Sequence, residues 1–230
     1  MNINILHMID GAKNAKGLTV IIDVFRAFTV EAYLAANSAE KIIPVGDAQI
    51  AYDFKSKNPD TILVGERHGK IMEGFDYGNS PSQIRNVDFS GKIIIHTTSA
   101  GTQGIANAIN ADEIISGSLV NAKAIARYIK SKNPENVSLV CMGLEAKSQT
   151  EEDNLCAYYI KSLLEGNEID LKNEIENLKI TSGAKFFDKS LNDIFPEEDF
   201  YLSVEANKFD FVLRLHKTID GLGYMEKIEI

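Results

Sequence analysis

The sequence predicts an α/β fold, a three-layer α/β/α arrangement with a largely parallel sheet and a helical C-terminal segment. Three observations carry that expectation. Short β-branched runs recur along the chain, each leads into a polar or glycine-containing turn, and an Ala-rich helical stretch follows. The runs are apolar throughout rather than alternating, as strands buried on both faces of a parallel sheet require.

In order, the expected strands are LTVIID at 18–23, KIIPV at 41–45, TILV at 61–64, KIIIHT at 92–97, EIIS at 113–116 and VSLVCM at 137–142. Between them, 28–36, 47–57, 102–110, 121–131 and 151–164 read as helices. Beyond Gly166 the pattern changes: 168–178 and 200–207 read as helical, and 209–217 and 224–230 are weaker strand candidates suited to a sheet edge. No Pro/Ser-rich linker intervenes, so residues 1–230 are expected to form a single domain, with 166–230 a mainly helical closing segment.

Composition narrows the function. At 230 residues the chain can bury a substantial core, and 44% hydrophobic with 25% charged residues excludes a disordered or fibrous chain. Lys and Arg total 24 against 33 Asp and Glu, a net charge of -9, so no whole-surface attraction to nucleic acid or anionic lipid is expected. Cys141 and Cys156 fit neither a disulfide framework nor a zinc pattern and read as buried thiols of a reducing compartment. The N-terminus lacks a secretory pattern and no window approaches a membrane span, which places the protein in the cytoplasm. Assembly into a homo-oligomer stays open.

In an open parallel sheet the ligand crevice lies at the carboxyl ends of the strands. Here those ends carry Asp23 with Arg26, Gly65-Glu66-Arg67, Thr97-Thr98-Ser99-Ala100-Gly101-Thr102, and Gly117-Ser118. Two carboxylates, two guanidinium groups and several hydroxyls beside helix-opening loops suit an anion accompanied by a divalent cation. Arg forks match phosphate or sulfonate oxygens, and hydroxyls and helix N-terminal N–H groups donate to the rest. Carboxylates beside a phosphate make sense if they hold a hard cation, orient a water or attack phosphorus. Each feature also has a structural alternative: Asp23 and Thr97 to Thr102 as helix caps, Arg26 as its surface partner, GFDYGNSP at 74–81 as a tight turn, and Glu152 and Asp153 as solvated acids opening a helix.

Spacing excludes sharper possibilities. No P-loop or Gly-x-Gly-x-x-Gly is present, neither cysteine is followed by an arginine-bearing phosphate loop, and no Asp follows Asp23 at the second position as in aspartyl-nucleophile phosphatases. Asp23 suits a metal ligand as well as a nucleophile. His7, His68, His96 and His216 share no metal-ligand spacing; His68 is adjacent to the strand-end residues, whereas His96 lies inside a strand as a core residue.

The chain resembles the 2-phosphosulfolactate phosphatase family, Mg²⁺-dependent enzymes associated with coenzyme M biosynthesis. Asp23-Val24-Phe25-Arg26-Ala27, Gly65 to Gly69, Gly74 to Pro81, Thr97 to Thr102, Gly117-Ser118 with Asn121, and Glu152-Asp153 ahead of Cys156 carry the resemblance, in order over residues 18–160. It departs at Ala100, where the family often has Asn, and becomes loose beyond residue 166. The resemblance implies an α/β phosphatase hydrolysing (2R)-2-phospho-3-sulfolactate to 3-sulfolactate and phosphate. On that expectation Asp23, Glu66, Asp76 and Asp153 bind Mg²⁺ or orient water, and Arg26 and Arg67 hold phosphate and sulfonate. Asn79, Ser80, Thr97, Thr98, Ser99, Gly101, Thr102, Ser118 and Asn121 complete the substrate cradle. A phosphatase for another small phosphorylated acid and a non-catalytic binder of such acids are the alternatives.

Overall fold

The computed structural model describes residues 1–218 and 221–230. The chain opens with β1 (Asn2–His7), α1 (Met8–Asn14), β2 (Gly17–Ile22), α2 (Ala27–Ala36), β3 (Lys41–Pro44), α3 (Ala48–Lys57), β4 (Ile62–Arg67) and the short β5 (Lys70–Ile71). It continues through α4 (Pro81–Ile84), β6 (Ile93–Thr97), α5 (Gly101–Asn107), β7 (Ala111–Gly117), α6 (Ala122–Lys132), β8 (Asn136–Cys141) and α7 (Glu151–Glu165). The C-terminal part holds α8 (Lys172–Leu178), α9 (Glu197–Val204), β9 (Phe211–His216) and β10 (Tyr224–Glu229). Short 3₁₀ turns lie at Leu119–Asn121, Ala184–Phe187 and Lys189–Leu191.

Local chemistry explains these elements. In β2 every residue after Gly17 is buried, as its unbroken Leu-Thr-Val-Ile-Ile run requires. The α2 helix is buried from Ala27 to Ala35. Its two polar interior residues are paired, Thr29 donating to the Val24 carbonyl at 2.8 Å and Glu31 meeting His96 Nδ1 at 3.0 Å. Amphipathic α6 buries Ala122, Ile125, Ala126 and Ile129 on one face and stops at Asn133, whose left-handed backbone (φ 46°) precedes Pro134. Three acids open α7 where the helix dipole favours them, and left-handed Gly166 closes it.

The ten strands form one sheet in the order β1-β8-β2-β7-β9-β10-β3-β6-β4-β5. It divides into two parallel blocks, β1-β8-β2-β7 and β3-β6-β4. Antiparallel β9 and β10 stand between them, so three successive reversals make the blocks run in opposite directions. The pair expected at an edge therefore lies in the middle of the sheet. Phe211, Val212, Leu213 and Met225 are buried there, and few backbone pairs join the blocks, two between β7 and β9 and one between β10 and β3. A shared hydrophobic cluster holds the blocks together, with Ile21, Ile114 and Val140 from one and Ile42, Val64 and Ile94 from the other.

The helical closure expected after residue 166 is present. Leu171, Leu178, Phe186, Phe200 and Val204 join the cluster built on β2, β8, α6 and α7. Phe186 packs edge-on against Phe25 at 5.0 Å, which brings the C-terminal segment against the loop after β2. No helix among the described residues is long and apolar enough to cross a membrane.

Candidate active site

A cavity of about 490 Å³ opens where the ends of β2, β4 and β6 meet the start of α7 and the segment 182–195. Asp23 comes directly after β2. Its backbone is held at both ends: the N–H donates to the Gly117 carbonyl at 3.2 Å, and the carbonyl accepts from Phe28 N–H at 3.1 Å. The side chain faces α5, where the backbone amide of Gly101 favours its ionised form. A Cβ at Gly101 would lie 3.0 Å from Asp23 Oδ2, so glycine is what allows this approach.

Arg26 caps α2 with φ 85° and ψ −62°, a conformation an arginine adopts only when its surroundings impose it. The surroundings are visible: its Nη atoms donate to Ile194 O at 2.8 Å and Gly69 O at 3.3 Å, and the guanidinium stacks 4.4 Å over the Phe195 ring. One side chain thus ties the β2 loop, the β4–β5 turn and the C-terminal segment together.

Glu66 organises the neighbouring loop. Its Oε1 accepts from Ser99 N–H at 2.7 Å, and its Oε2 accepts from Gly69 N–H at 2.6 Å and the Ser99 hydroxyl at 3.2 Å. Asp153 does the same between α7 and the first parallel block, Oδ1 accepting from Val24 N–H and Oδ2 from Gly143 N–H, both at 2.8 Å. Glu152 beside it is buried, with Oε2 making no well-formed hydrogen bond.

Crowding of buried carboxyls sets the electrostatics. Asp23 is 9% exposed and is pushed well above the usual carboxylate range, first by burial and then by repulsion from Asp153, Glu66 and Glu152. Asp153, 2% exposed, is pushed up to about 8 by burial and by Glu152, against the pull of its two N–H bonds. Burial also raises Glu152, while Ser182 and Lys185 pull it back. Arg26 and Lys185 are the buried cations here, and burial lowers both. Leaving several carboxylates dry with few cations is unfavourable unless something else supplies positive charge or protons.

The structure gathers some of the sequence-predicted residues and disperses others. Asp23, Arg26, Glu66, Asn79 and Ser99 line the cavity, and the Gly101 amide acts on Asp23. Asn79 Oδ1 is buried without a partner. Asp153 lies just behind, buried rather than solvated as a helix-opening acid would be, and so does Glu152 in the wall. Asp76 is elsewhere: its Oδ2 accepts from Leu63 N–H at 2.8 Å, with Lys55 at 3.4 Å, and the side chain is about a third exposed. Arg67 turns away, donating to Glu66 O, Gly46 O and Thr97 Oγ1. The Thr98 and Thr102 hydroxyls satisfy each other's backbone at the start of α5. Ser80 donates to Asp199 at 2.8 Å. Ser118, fully buried against the Thr29 hydroxyl, forms a capping box with Asn121 around the turn at Leu119–Asn121. Both are structural in this geometry rather than part of the cavity wall.

Several wall residues lie outside every sequence motif. Thr150, Ser182, Lys185 and Phe195 line the cavity, and the Thr150 and Ser182 hydroxyls are buried without a well-formed hydrogen bond. Ser182, Lys185 and Phe195 belong to a stretch with neither strand nor helix periodicity, so no local signal marks them. His68 lies at the mouth, 2.6 Å from Glu145, which that contact and Lys147 hold down to about 2. His96 is the buried core residue expected, and both thiols are buried and free.

A hard divalent cation fits this donor set in one form. Among the described residues no three His, Cys, Asp or Glu side chains are arranged to hold a metal by themselves. Mg²⁺ commonly takes one or two carboxylates and completes its shell with water and substrate phosphate. Asp23, beside the Gly101 amide, and Glu152, whose Oε2 makes no well-formed hydrogen bond, are the carboxylates available for that. Glu66 and Asp153 are already engaged on both oxygens.

Known proteins share this chain over most of its length. The family model described as 2-phosphosulpholactate phosphatase matches residues 4–217. A protein of Bacillus subtilis named "Probable 2-phosphosulfolactate phosphatase" is 31% identical over 201 residues, 86% of this chain and 86% of its own. Its namesake in Caldanaerobacter subterraneus subsp. tengcongensis is 34% identical over 215 residues, 87% of this chain and 88% of its own. Another, in Thermoplasma volcanium, is 34% identical over 178 residues, 76% of this chain and 82% of its own.

Proposed function

Because the chain belongs to the 2-phosphosulfolactate phosphatase family, we propose that it is a phosphoric monoester hydrolase that removes phosphate from (2R)-2-phospho-3-sulfolactate with the help of Mg²⁺. The observation that carries the reading is the wall itself: buried acids, an arginine, a lysine and hydroxyls without a well-formed hydrogen bond line one cavity. A substrate bearing a phosphate and a sulfonate matches the cations and hydroxyls. The acids match a divalent ion.

Hydrolysis breaks the bond between phosphorus and the ester oxygen, joins a water oxygen to phosphorus, and returns a proton to the leaving oxygen. Positioning and charge stabilisation dominate such a reaction. The phosphoryl group is placed against Asp23, the first N–H of α5 at Gly101, and Ser99. Arg26 lines the same cavity with a guanidinium anchored on two backbone carbonyls, and its positive charge favours the phosphoryl group there. Both roles that the sequence leaves to Asp23, nucleophile and metal ligand, need this contact. A carboxyl raised above the usual carboxylate range also holds a proton more readily than an ordinary one. Bound Mg²⁺, held by Asp23 and Glu152, would supply positive charge to the phosphoryl oxygens. Glu66 and Asp153 act through the backbone, fixing Ser99, Gly69, Val24 and Gly143 in place.

The whole chain acts as one phosphatase domain on this reading, supported by the single sheet running through it. A cytoplasmic setting accords with its two unpaired thiols. The test is phosphate release from 2-phospho-3-sulfolactate with Mg²⁺ and with EDTA, alongside other phosphorylated carboxylic acids. Metal-dependent release that favours the sulfonate is expected. Preference for another acid would move the substrate, and absence of turnover on all of them would overturn the enzymatic reading.

A further inference from the structure

The cavity holds two cations of different standing. Arg26 is committed to the fold, with Nη atoms on two carbonyls and its face on Phe195. Lys185, on the turn at Ala184–Phe187, lines the same cavity and has no such commitment. Its Nζ stands 5.3 Å from the Phe195 ring centre, 5.5 Å from Phe186 and 5.7 Å from Phe25. Among the described residues it makes no hydrogen bond or ion pair, although Glu152, Asp23 and Asp153 all act on it through space. Three aromatic faces stabilise a positive charge without using any of its N–H donors. At the cavity wall those donors are left without a hydrogen bond among the described residues, which is unfavourable for a largely buried ammonium unless an acceptor arrives there.

Ser182, three residues earlier, forms part of the same wall, and its buried hydroxyl, near enough to Glu152 to favour that carboxylate, completes no well-formed hydrogen bond. Ammonium and hydroxyl together offer donors to a compact group with several acceptor oxygens. The strand-end wall, with Asp23, Gly101 N–H and Ser99, is where the proposed function puts the phosphoryl group. On that reading the wall from segment 182–195, with Ser182, Lys185 and Phe195, is left for the rest of the substrate.

We propose that Lys185, assisted by the Ser182 hydroxyl, binds the sulfonate, one of the two non-reacting anionic groups of the substrate beside its carboxylate, and thereby makes the enzyme select a phosphate ester that carries a sulfonate. This rests on the phosphatase reading for the identity of the substrate. It adds a specificity-determining residue that lies outside every strand-end motif.

The experiment crosses protein and substrate. Wild type, Lys185→Met and Lys185→Arg are assayed on 2-phospho-3-sulfolactate and on 2-phospholactate, which lacks the sulfonate, with thermal melting to confirm folding. Losing a charge-assisted contact is expected to raise KM for the sulfonate substrate by about 10- to 100-fold in Lys185→Met. The loss on 2-phospholactate should be several-fold smaller, and Lys185→Arg should recover much of the preference. Equal losses on both substrates, or no loss on either, would overturn the proposal. Calorimetric binding of 3-sulfolactate and lactate to wild type and Lys185→Met separates it from the phosphatase reading. Even without turnover, sulfolactate binding that weakens in the variant supports the subsite, and binding that is absent or unchanged refutes it. Should Lys185→Met fail to fold, Lys185→Gln and Ser182→Ala carry the same comparison: a selective loss of sulfonate binding supports the subsite, and its absence refutes it.

Discussion

The two walls of the cavity are built by opposite means. The strand-end wall is acidic and held by hydrogen bonds: Glu66 and Asp153 each grip two backbone N–H groups, and Asp23 sits against the first N–H of α5. The C-terminal wall is cationic and held by aromatic packing, with Arg26 and Lys185 lodged among Phe25, Phe186 and Phe195. Negative charge is fixed by directional bonds at the strand ends, whereas positive charge rests on Arg26 at the start of α2 and on Lys185 in a C-terminal stretch of short 3₁₀ turns. The first wall is therefore suited to precise placement and the second to holding positive charge with few hydrogen bonds.

Removing Arg26 should break the contrast most severely, since it is the one residue that belongs to both walls. Arg26→Ala leaves the Ile194 and Gly69 carbonyls without that donor and strips Phe195 of one of its partners, leaving it Phe186 and Lys185. A stability loss of about 2–4 kcal/mol is expected in denaturant melts, together with a fall in kcat/KM of about 100-fold or more. Unchanged stability would show that the aromatic segment docks without it.

Gly101→Ala sharpens the comparison from the acidic side. The added Cβ comes within 3.0 Å of both Asp23 Oδ2 and Phe28 Cζ, so Asp23 or α5 must shift. About 10-fold loss of kcat/KM is expected, with a stability loss of about 1–3 kcal/mol. A fully active variant would show that the close approach of α5 to Asp23 is not needed.

Titration tests the acidic wall alone, with a smaller effect. Asp153 is raised to about 8 in the folded protein, so the folded state binds more protons than the unfolded one between about pH 4 and about pH 8. Stability of the metal-free protein should fall as pH rises through that window. Mg²⁺ should flatten the slope, because a cation among the carboxyls favours their ionised forms. Thermal melts at several pH values with EDTA and with Mg²⁺ check this, and a slope indifferent to metal would remove the cation from this wall.

The acidic wall is legible in the sequence because parallel strands leave a local signature. LTVIID and KIIIHT are continuous apolar runs, and the polar residues closing or succeeding each run fall at a strand end. Position in a motif does not reveal direction, however. Asp76 and Arg67 belong to the same run of motifs, yet one carboxylate caps the Leu63 amide and one guanidinium fastens Glu66, Gly46 and Thr97. Ser118 and Asn121 likewise close a turn, because an Asn side chain reaching the Ser118 N–H and a ligand would draw on the same donors and acceptors. The cationic wall leaves no periodic signal: Lys185 and Phe195 are placed by tertiary packing alone. The same holds for β9 and β10, whose half-buried patterns suit an edge. They lie in the middle because two oppositely running blocks need an antiparallel join. β1 escapes a search for unbroken apolar runs, since Asn-Ile-Asn-Ile alternates and leaves one side exposed.

The most direct test of the division between cavity and scaffold compares two carboxylates that the sequence places on equal footing. Asp23→Asn and Asp76→Asn are assayed side by side for phosphate release from 2-phospho-3-sulfolactate with Mg²⁺. Asp23→Asn should lose at least about 100-fold in kcat while melting no lower than wild type, because it also relieves repulsion from Asp153, Glu66 and Glu152. Asp76→Asn should stay within about twofold in kcat and lose about 1 kcal/mol of stability, as its link to the Leu63 amide weakens. Comparable losses of activity in both variants, or full activity in Asp23→Asn, would contradict the placement of the catalytic wall at the end of β2.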